Sequence, residues 1–200
     1  MTIQRFGSDY GHFHCDPDLI PQGATILDCG VGTDISFAEG LHAARPDTRF
    51  VLVDHMDESE RFVNKVRGYS WTTFIKAAVT ARGAGTTVQM HKHRTDSGSE
   101  TLYADHHFAN PRARYTVAAV SLADLIATHK PALVKMDCEG VEYSCLQEAI
   151  GVPQVCVEFH HRMMSAFTSA DTERIIAEFV AAGYSVGHRT ATDEVLMVRK

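Results

Sequence analysis

No two of the five cysteines in this 200-residue chain stand in CxxC spacing; they lie at positions 15, 29, 138, 145 and 156. That excludes zinc ribbons and dithiol redox motifs, which depend on the spacing. No apolar run approaches the roughly 20 residues a membrane-spanning helix needs. The N-terminus, MTIQRFGSDYGHFHCDPDL, carries no apolar core of signal-peptide type. Basic residues are in deficit, 19 Lys and Arg against 25 Asp and Glu, for a net charge of −6 with histidines neutral. A broad nucleic-acid footprint needs a basic face and is therefore not expected. No internal repeat or linker marks a second domain. The expectation is one cytoplasmic domain over residues 1–200. In that reducing setting Cys29, Cys138 and Cys156 serve as small hydrophobes inside buried strands.

What is present is an alternation of apolar runs and helical patterns. Strands are predicted at 24–30 (ATILDCG), 49–54 (RFVLVD), 71–79 (WTTFIKAAV), 114–120 (RYTVAAV), 132–137 (ALVKMD) and 154–161 (QVCVEFHH). Helices are predicted at 34–44, with Ile35, Ala38 and Leu41 inward, and at 58–68, with Phe62, Val63 and Val66 inward and Gly68 as its stop. Further helices follow Ser121, whose N-cap pairing is with Asp124, and occupy 142–150 and 172–183. YSVGHR and EVLMVRK, joined by TATD, read as a terminal antiparallel hairpin. Residues 1–20 read as an N-terminal extension, and 81–114 as an irregular insertion or lid that holds one strand-like piece, TTVQMHKH. Alternating strands and helices imply an α/β fold of Rossmann-like type. Its mainly parallel seven-stranded sheet would carry helices on both faces.

Gly30 and Gly32 fall where the first of these strands turns into a helix, and the next strand ends in Asp54, twenty-two residues past Gly32. Glycines there let a ligand approach the backbone closely, and an acid at that strand end can accept from a ribose diol. A nucleoside-bearing cofactor follows. The dinucleotide fingerprint fails because Ile35 stands at its third glycine position, and no Gly-Lys-Ser/Thr completes a phosphate loop. What remains, Asp28-x-Gly30-x-Gly32, places an acid before the turn. It resembles motif I of the class I S-adenosylmethionine-dependent methyltransferases.

Residues 132–146, ALVKMDCEGVEYSCL, start as a buried strand and then deliver Asp137, Glu139 and Glu142. Glu142 opens a helix, where the helix dipole favours an acid, and reads as a capping residue. Asp137 and Glu139 repel one another unless something cationic lies between them: a sulfonium or amino group, a metal, or Lys135. LVKMDCEGVE resembles the Lys-x-Asp-x-Glu-Gly-x-Glu signature of the FkbM family of methyltransferases. LDCGVGTDISF fits that family's glycine turn, and VCVEFHH its fifth strand. The resemblance spans roughly residues 20–200. It implies methyl transfer from S-adenosylmethionine, usually to a hydroxyl oxygen of a sugar or natural product. It also implies cofactor-binding roles for Asp28, Gly30, Gly32, Ser36 and Asp54, with His55 beside it. Asp137 and Glu139 would line the methionine end or the acceptor site. The family often has Glu-Pro or Asp-Pro after its second strand, whereas this chain has Asp54-His55-Met56.

Methyl transfer to a hydroxyl requires a base or a metal. In the strand expected over 154–161, Glu158 and His160 point to the same side. His160 as general base, assisted by Glu158 or Asp137, is the leading arrangement. A divalent metal on Asp137, Glu158 and His160 is a second, and a strand-end histidine without chemistry the third. His91, His93, His106 and His107 read as solvated loop residues, or as a lid with Arg94, Arg112 and Arg114 meeting an acidic substrate. The competing functions are a nicotinamide-dependent oxidoreductase and a non-catalytic interaction module with the same fold. The expected partner is a small-molecule acceptor, with no nucleic acid and no membrane; the sequence leaves a homodimer open.

Overall fold

Residues 1–95 and 100–200 are described by the computed structural model. A short antiparallel pair, β1 (Gln4–Phe6) and β2 (Phe13–Cys15), comes first. Three-residue strands are too short to show a period, so the sequence reading has only an extension here. Then follow β3 (Thr25–Cys29), α1 (Ser36–Ala44), β4 (Arg49–Asp54), α2 (Asp57–Arg61), β5 (Thr72–Lys76), β6 (Ala78–Thr80), β7 (Thr87–His93) and β8 (Ala109–Ser121). The second half holds α3 (Leu122–His129), β9 (Leu133–Met136), α4 (Glu142–Cys145), β10 (Gln154–Glu158), α5 (Ser169–Ala181), β11 (Tyr184–Arg189) and β12 (Glu194–Arg199).

Seven strands form the main sheet in the order β11-β12-β10-β9-β3-β4-β5. The five from β10 to β5 run parallel, and β12 is antiparallel to both β10 and β11. Side chains alternate between the faces. Leu27, Val51, Val53, Val134 and Met136 join one buried cluster, while Ile26, Phe50, Leu52 and Leu133 join another. Burial on both faces is why these strands read as unbroken apolar runs. On α1, Ile35, Ala38 and Leu41 are all buried as expected. Ser121 caps α3 by accepting from Asp124 N at 3.1 Å. No helix among the described residues is long and apolar enough to cross a membrane.

The structure departs from the sequence reading in several places. The helix expected over 58–68 is α2 followed by a π-helical turn, Phe62–Arg67, stopped by Gly68 at φ +59°. Wider winding advances less per residue than an α-helix. It leaves Val63 buried and swings Val66 outward to 66% exposure. The strand expected over 71–79 breaks after Lys76; β6 leaves the main sheet and pairs with β8. Within the supposed irregular insertion the strand-like TTVQMHKH is β7, and it pairs antiparallel with β8, which starts five residues before the strand expected over 114–120. His91, His93 and His106 are buried rather than solvated, while His107 is exposed. The helix expected over 142–150 is only α4 plus a 3-10 turn, Leu146–Ala149. Cys138 lies in the turn beyond β9, not within a strand. All five cysteines are free.

The hairpin of β1 and β2 docks on the far end of the sheet through histidines. His14 Nδ1 lies 2.9 Å from Glu194 Oε1, and the His14 ring stacks on His188 at 3.8 Å. Burial, then the neighbouring His14, holds His188 below the usual histidine range, with Glu194 opposing and His12 reinforcing. A depressed folded pKa means the unfolded chain binds more protons, so this stability is present above about pH 6.5 and is lost as pH falls. His188→Asn should therefore raise the melting temperature, relative to the parent, more at pH 5 than at pH 7, which differential scanning calorimetry would detect.

Candidate active site

The carboxyl ends of β3, β4, β9 and β10 open into one cleft of about 1420 Å³. The turn after β3 forms its floor. Gly30 N–H donates to Val53 O at 2.9 Å, and Gly30 sits at φ +76°. A Cβ there would stand 1.7 Å from the Asp137 carbonyl oxygen, so only glycine lets the ends of β3 and β9 come together. Lys135 Nζ braces the turn, donating to Gly30 O at 2.9 Å and lying 3.2 Å from Asp28 Oδ1. Burial raises Asp28 above the usual carboxylate range, and Lys135 opposes the rise. Burial would lower Lys135, but Asp28 and Asp137 outweigh it and hold the ammonium charged. The cation nearest Asp28 is thus the chain's own lysine.

Gly32 lies at φ +51°, with nothing within 4 Å of the position a Cβ would take. Its N–H donates to Asp54 Oδ2 at 2.9 Å, while Met56 N–H donates to Asp54 Oδ1 at 2.9 Å. Each carboxylate oxygen keeps a second lone pair for a ligand hydroxyl. His55 also lines the cleft; its Nδ1 lies 3.7 Å from Asp54 Oδ1 and its Nε2 3.0 Å from Glu100 Oε2.

Ser36 is tied to the N-terminal segment, its Oγ accepting from Ser8 N–H at 2.7 Å. The cleft wall beside it is Asp34 and Phe37, and Tyr10 and Gly11 complete that rim. Asp34 accepts from Ser8 Oγ at 2.7 Å and from Ser36 N–H at 2.8 Å. Burial works against its charge, but these bonds win and lower its pKa. Asp34 was not singled out from the sequence, although it directly follows the Gly-Val-Gly-Thr turn; Ser8 and Tyr10 carried no signal.

The acid turn follows β9. Asp137 N–H donates to Cys29 O at 3.0 Å, which holds it against β3. Glu139 at φ +50° and Gly140 at φ +106° reverse the chain, and Thr101 Oγ1 fastens Glu139 O at 2.6 Å. Glu142 is not simply a helix-capping acid. It is fully buried and accepts from Gly140 N–H at 3.0 Å, from His160 N–H at 3.0 Å and from His160 Nδ1 at 2.8 Å. Helix position explains an acid there, but its main partner is a histidine eighteen residues on.

β10 ends at Glu158, so the strand geometry that would align Glu158 with His160 does not reach that far. Instead His160 Nε2 points between Asp137 Oδ1, at 3.5 Å, and Glu139 Oε2, at 3.7 Å. Burial would lower His160, but Glu142, then Asp137 and Glu139, push it up to about 10. Confinement raises Asp137 above the usual carboxylate range against the pull of Lys135 and His160. Burial and then the charge of Asp137 push Glu158 up to about 7. The Glu158 carboxylate lines the cleft and makes no hydrogen bond among the described residues. Among the lid arginines, Arg94 Nε is held by Ala109 O at 2.8 Å, while Arg112 and Arg114 lie exposed on β8. The arginine at the cleft is Arg162.

The fold is shared with solved structures. The chain resembles a fibrillarin/Nop5p complex structure at TM-score 0.50 and 9% identity, covering 90% of this chain and 74% of that one. It resembles the Methanococcus jannaschii fibrillarin pre-rRNA processing protein at TM-score 0.52 and 7% identity, covering 92% and 69%. At such identities the likeness concerns the fold alone. No curated protein matches. The methyltransferase FkbM domain model matches residues 22–186, which take in the glycine turn, Asp54, the acid turn and β10. The chain therefore belongs to the FkbM methyltransferases, a family that depends on S-adenosylmethionine.

Proposed function

We propose that the protein methylates a hydroxyl oxygen of a small molecule, using S-adenosylmethionine. The observation that carries this reading is the meeting in one cleft of the Gly30–Gly32 turn, Asp54 and the acid turn of Asp137 and Glu139. S-adenosylmethionine supplies a methyl group already activated on a sulfonium. The chain's task is then to bind it, to align the acceptor and to take up a proton. Asp54 and His55 suit the ribose end, with the open side of Gly32 giving room for the ligand. Asp28 acts through Lys135 to hold the turn, and Ser36 acts through Ser8 and Asp34. Asp137 and Glu139 suit the methionine end and the acceptor. Glu158 is the residue we assign as proton acceptor, because its carboxylate faces the cleft unbonded. His160 holds its Nδ1 against Glu142 and faces the gap between the two acids with its Nε2.

Charge favours a small acceptor. The cleft is lined by eight Asp and Glu side chains against two lysines and one arginine, which would repel a phosphodiester backbone. A nicotinamide cofactor is disfavoured by Ile35, fully buried where a dinucleotide site needs glycine.

Calorimetric titration tests the cofactor. Micromolar binding of S-adenosylmethionine is expected, with none of NAD. Asp54→Ala should weaken it about 10- to 100-fold, the loss expected for hydrogen bonds to a charged group. Binding of NAD alone, or of neither ligand to folded protein, would refute the reading. A panel of sugar and polyketide alcohols, scored by mass spectrometry for methylated product, then tests the acceptor class.

A further inference from the structure

We propose that Asp137, Glu139 and His160 form a binding site for one divalent cation of the Mn2+ type. The inference goes beyond methyl transfer and does not depend on it. Among the described residues, these three side chains each offer one ligand atom, and the atoms lie within 4.8 Å of one another. Glu158, expected from the sequence as a member of such a set, is not in the group.

The spacing is that of ligands around an ion rather than of hydrogen-bonded partners. His160 Nε2 stands 3.5 Å from Asp137 Oδ1 and 3.7 Å from Glu139 Oε2, beyond the 2.7–3.2 Å of an N–H···O bond. Two ligands each about 2.1 Å from a metal lie about 3.0 Å apart at a right angle and about 3.4 Å apart at the tetrahedral angle, so the two gaps would close by a few tenths of an ångström around an ion. The nitrogen therefore aims into a gap between two carboxylates and bonds neither.

The surroundings prepare the histidine for a metal. His160 is 6% exposed, and its Nδ1 lies 2.8 Å from the fully buried Glu142. A carboxylate on the far ring nitrogen fixes the tautomer that leaves Nε2 as a ligand and makes it more basic. A separate observation comes from the β7–β8 connection. The His106 side chain is wholly buried, and its Nε2 borders the same gap, 3.0 Å from Glu139 Oε2. That nitrogen makes no hydrogen bond, its contact there being the ion pair with Glu139, while Nδ1 accepts from Phe108 N–H at 3.3 Å. Of the positive groups nearby, Lys135 Nζ faces the other Asp137 oxygen at 3.9 Å and is engaged by Asp28 and Gly30. Two carboxylates and one imidazole, with room for water from the cleft, suit Mn2+ better than a thiolate-seeking ion. An ion there would meet an acceptor hydroxyl and stabilise negative charge on its oxygen.

The test uses the full chain, stripped with chelator and free of cofactor and acceptor. Mn2+ is titrated while electron paramagnetic resonance reads the free ion, and circular dichroism verifies the fold. One Mn2+ per chain is expected, together with a rise in melting temperature. Glu139→Gln and Asp137→Asn should each weaken binding at least about tenfold, in line with the loss of a directly bound group. Glu158→Gln should change it far less. Folded parent protein that binds no Mn2+ would overturn the proposal, as would a folded Glu139→Gln that binds as tightly as the parent. Either result would leave the cofactor titration untouched, so the two readings fail separately.

Discussion

Alanine in place of Gly30 is expected to leave little folded protein, whereas alanine in place of Gly32 should fold. Both glycines occupy positive φ, at +76° and +51°. Left-handed backbone alone costs a side-chain-bearing residue about 1–2 kcal/mol, which both variants incur. The difference is space. At Gly30 the new methyl group would overlap the Asp137 carbonyl oxygen at 1.7 Å and its carbon at 2.7 Å. Both atoms are backbone, held by the Asp137 N–H bond to Cys29 O and by the pairing of β3 with β9. Relief means prising apart two central strands, which places the cost above about 4 kcal/mol, out of a typical total of 5–15. At Gly32 no atom lies within 4 Å of the added methyl group. That variant should melt a few degrees below the parent and bind S-adenosylmethionine more weakly, since its side chain enters the cleft. Thermal melts by circular dichroism decide the matter. Similar melting temperatures for the two variants would show that the Asp137 carbonyl can yield.

Removing Glu142 should be nearly as damaging, although this acid lies off the reacting centre. In Glu142→Ala, the His160 ring and the backbone N–H groups of Gly140 and His160 lose their acceptor inside the protein. Breaking a buried charged pair in this way costs about 3–5 kcal/mol. Glu142→Gln keeps the shape but turns an amide NH2 toward either the Gly140 or the His160 donors, leaving about 1–3 kcal/mol of cost. Urea unfolding should rank the parent above Glu142→Gln and Glu142→Ala last. An alanine variant as stable as the parent would mean that water replaces the carboxylate, and that His160 is not rigidly held.

How legible the molecule was depended on how far apart its interacting residues lie in the chain. β3, β4 and β9 are buried on both faces, and α1 packs Ile35, Ala38 and Leu41 on one stripe, so short windows suffice to find them. The β7–β8 ribbon was legible only in part: its two strands were expected, but the run from Ala109 to Ala113 is half-exposed and polar, so the extension of β8 was not. Gly30, Gly32 and Asp54 announce themselves through local turn chemistry. Glu142 does not. A helix start accounts for it locally, and its partner comes near only because β9 and β10 pair in parallel. The same holds for His160, whose neighbours are the acids after β9 rather than the Glu158 two residues before it. Short-range pattern exposes the cofactor turn, while the acceptor end is assembled by topology.

The central position of β3 has a consequence for how the protein is made. Its partner on one side, β4, emerges within about twenty-five residues, but on the other side Ile26 pairs with Leu133. During synthesis the N-terminal half carries an apolar strand with one unpaired edge until more than a hundred further residues have been added. Contacts this distant in the chain form slowly, and an open edge invites association with other chains. The glycine turn cannot take its final shape before the Asp137 carbonyl arrives to pack against it. The cofactor pocket thus cannot exist until Asp137 has been added, more than a hundred residues after the glycine turn, and ligand cannot assist folding before then.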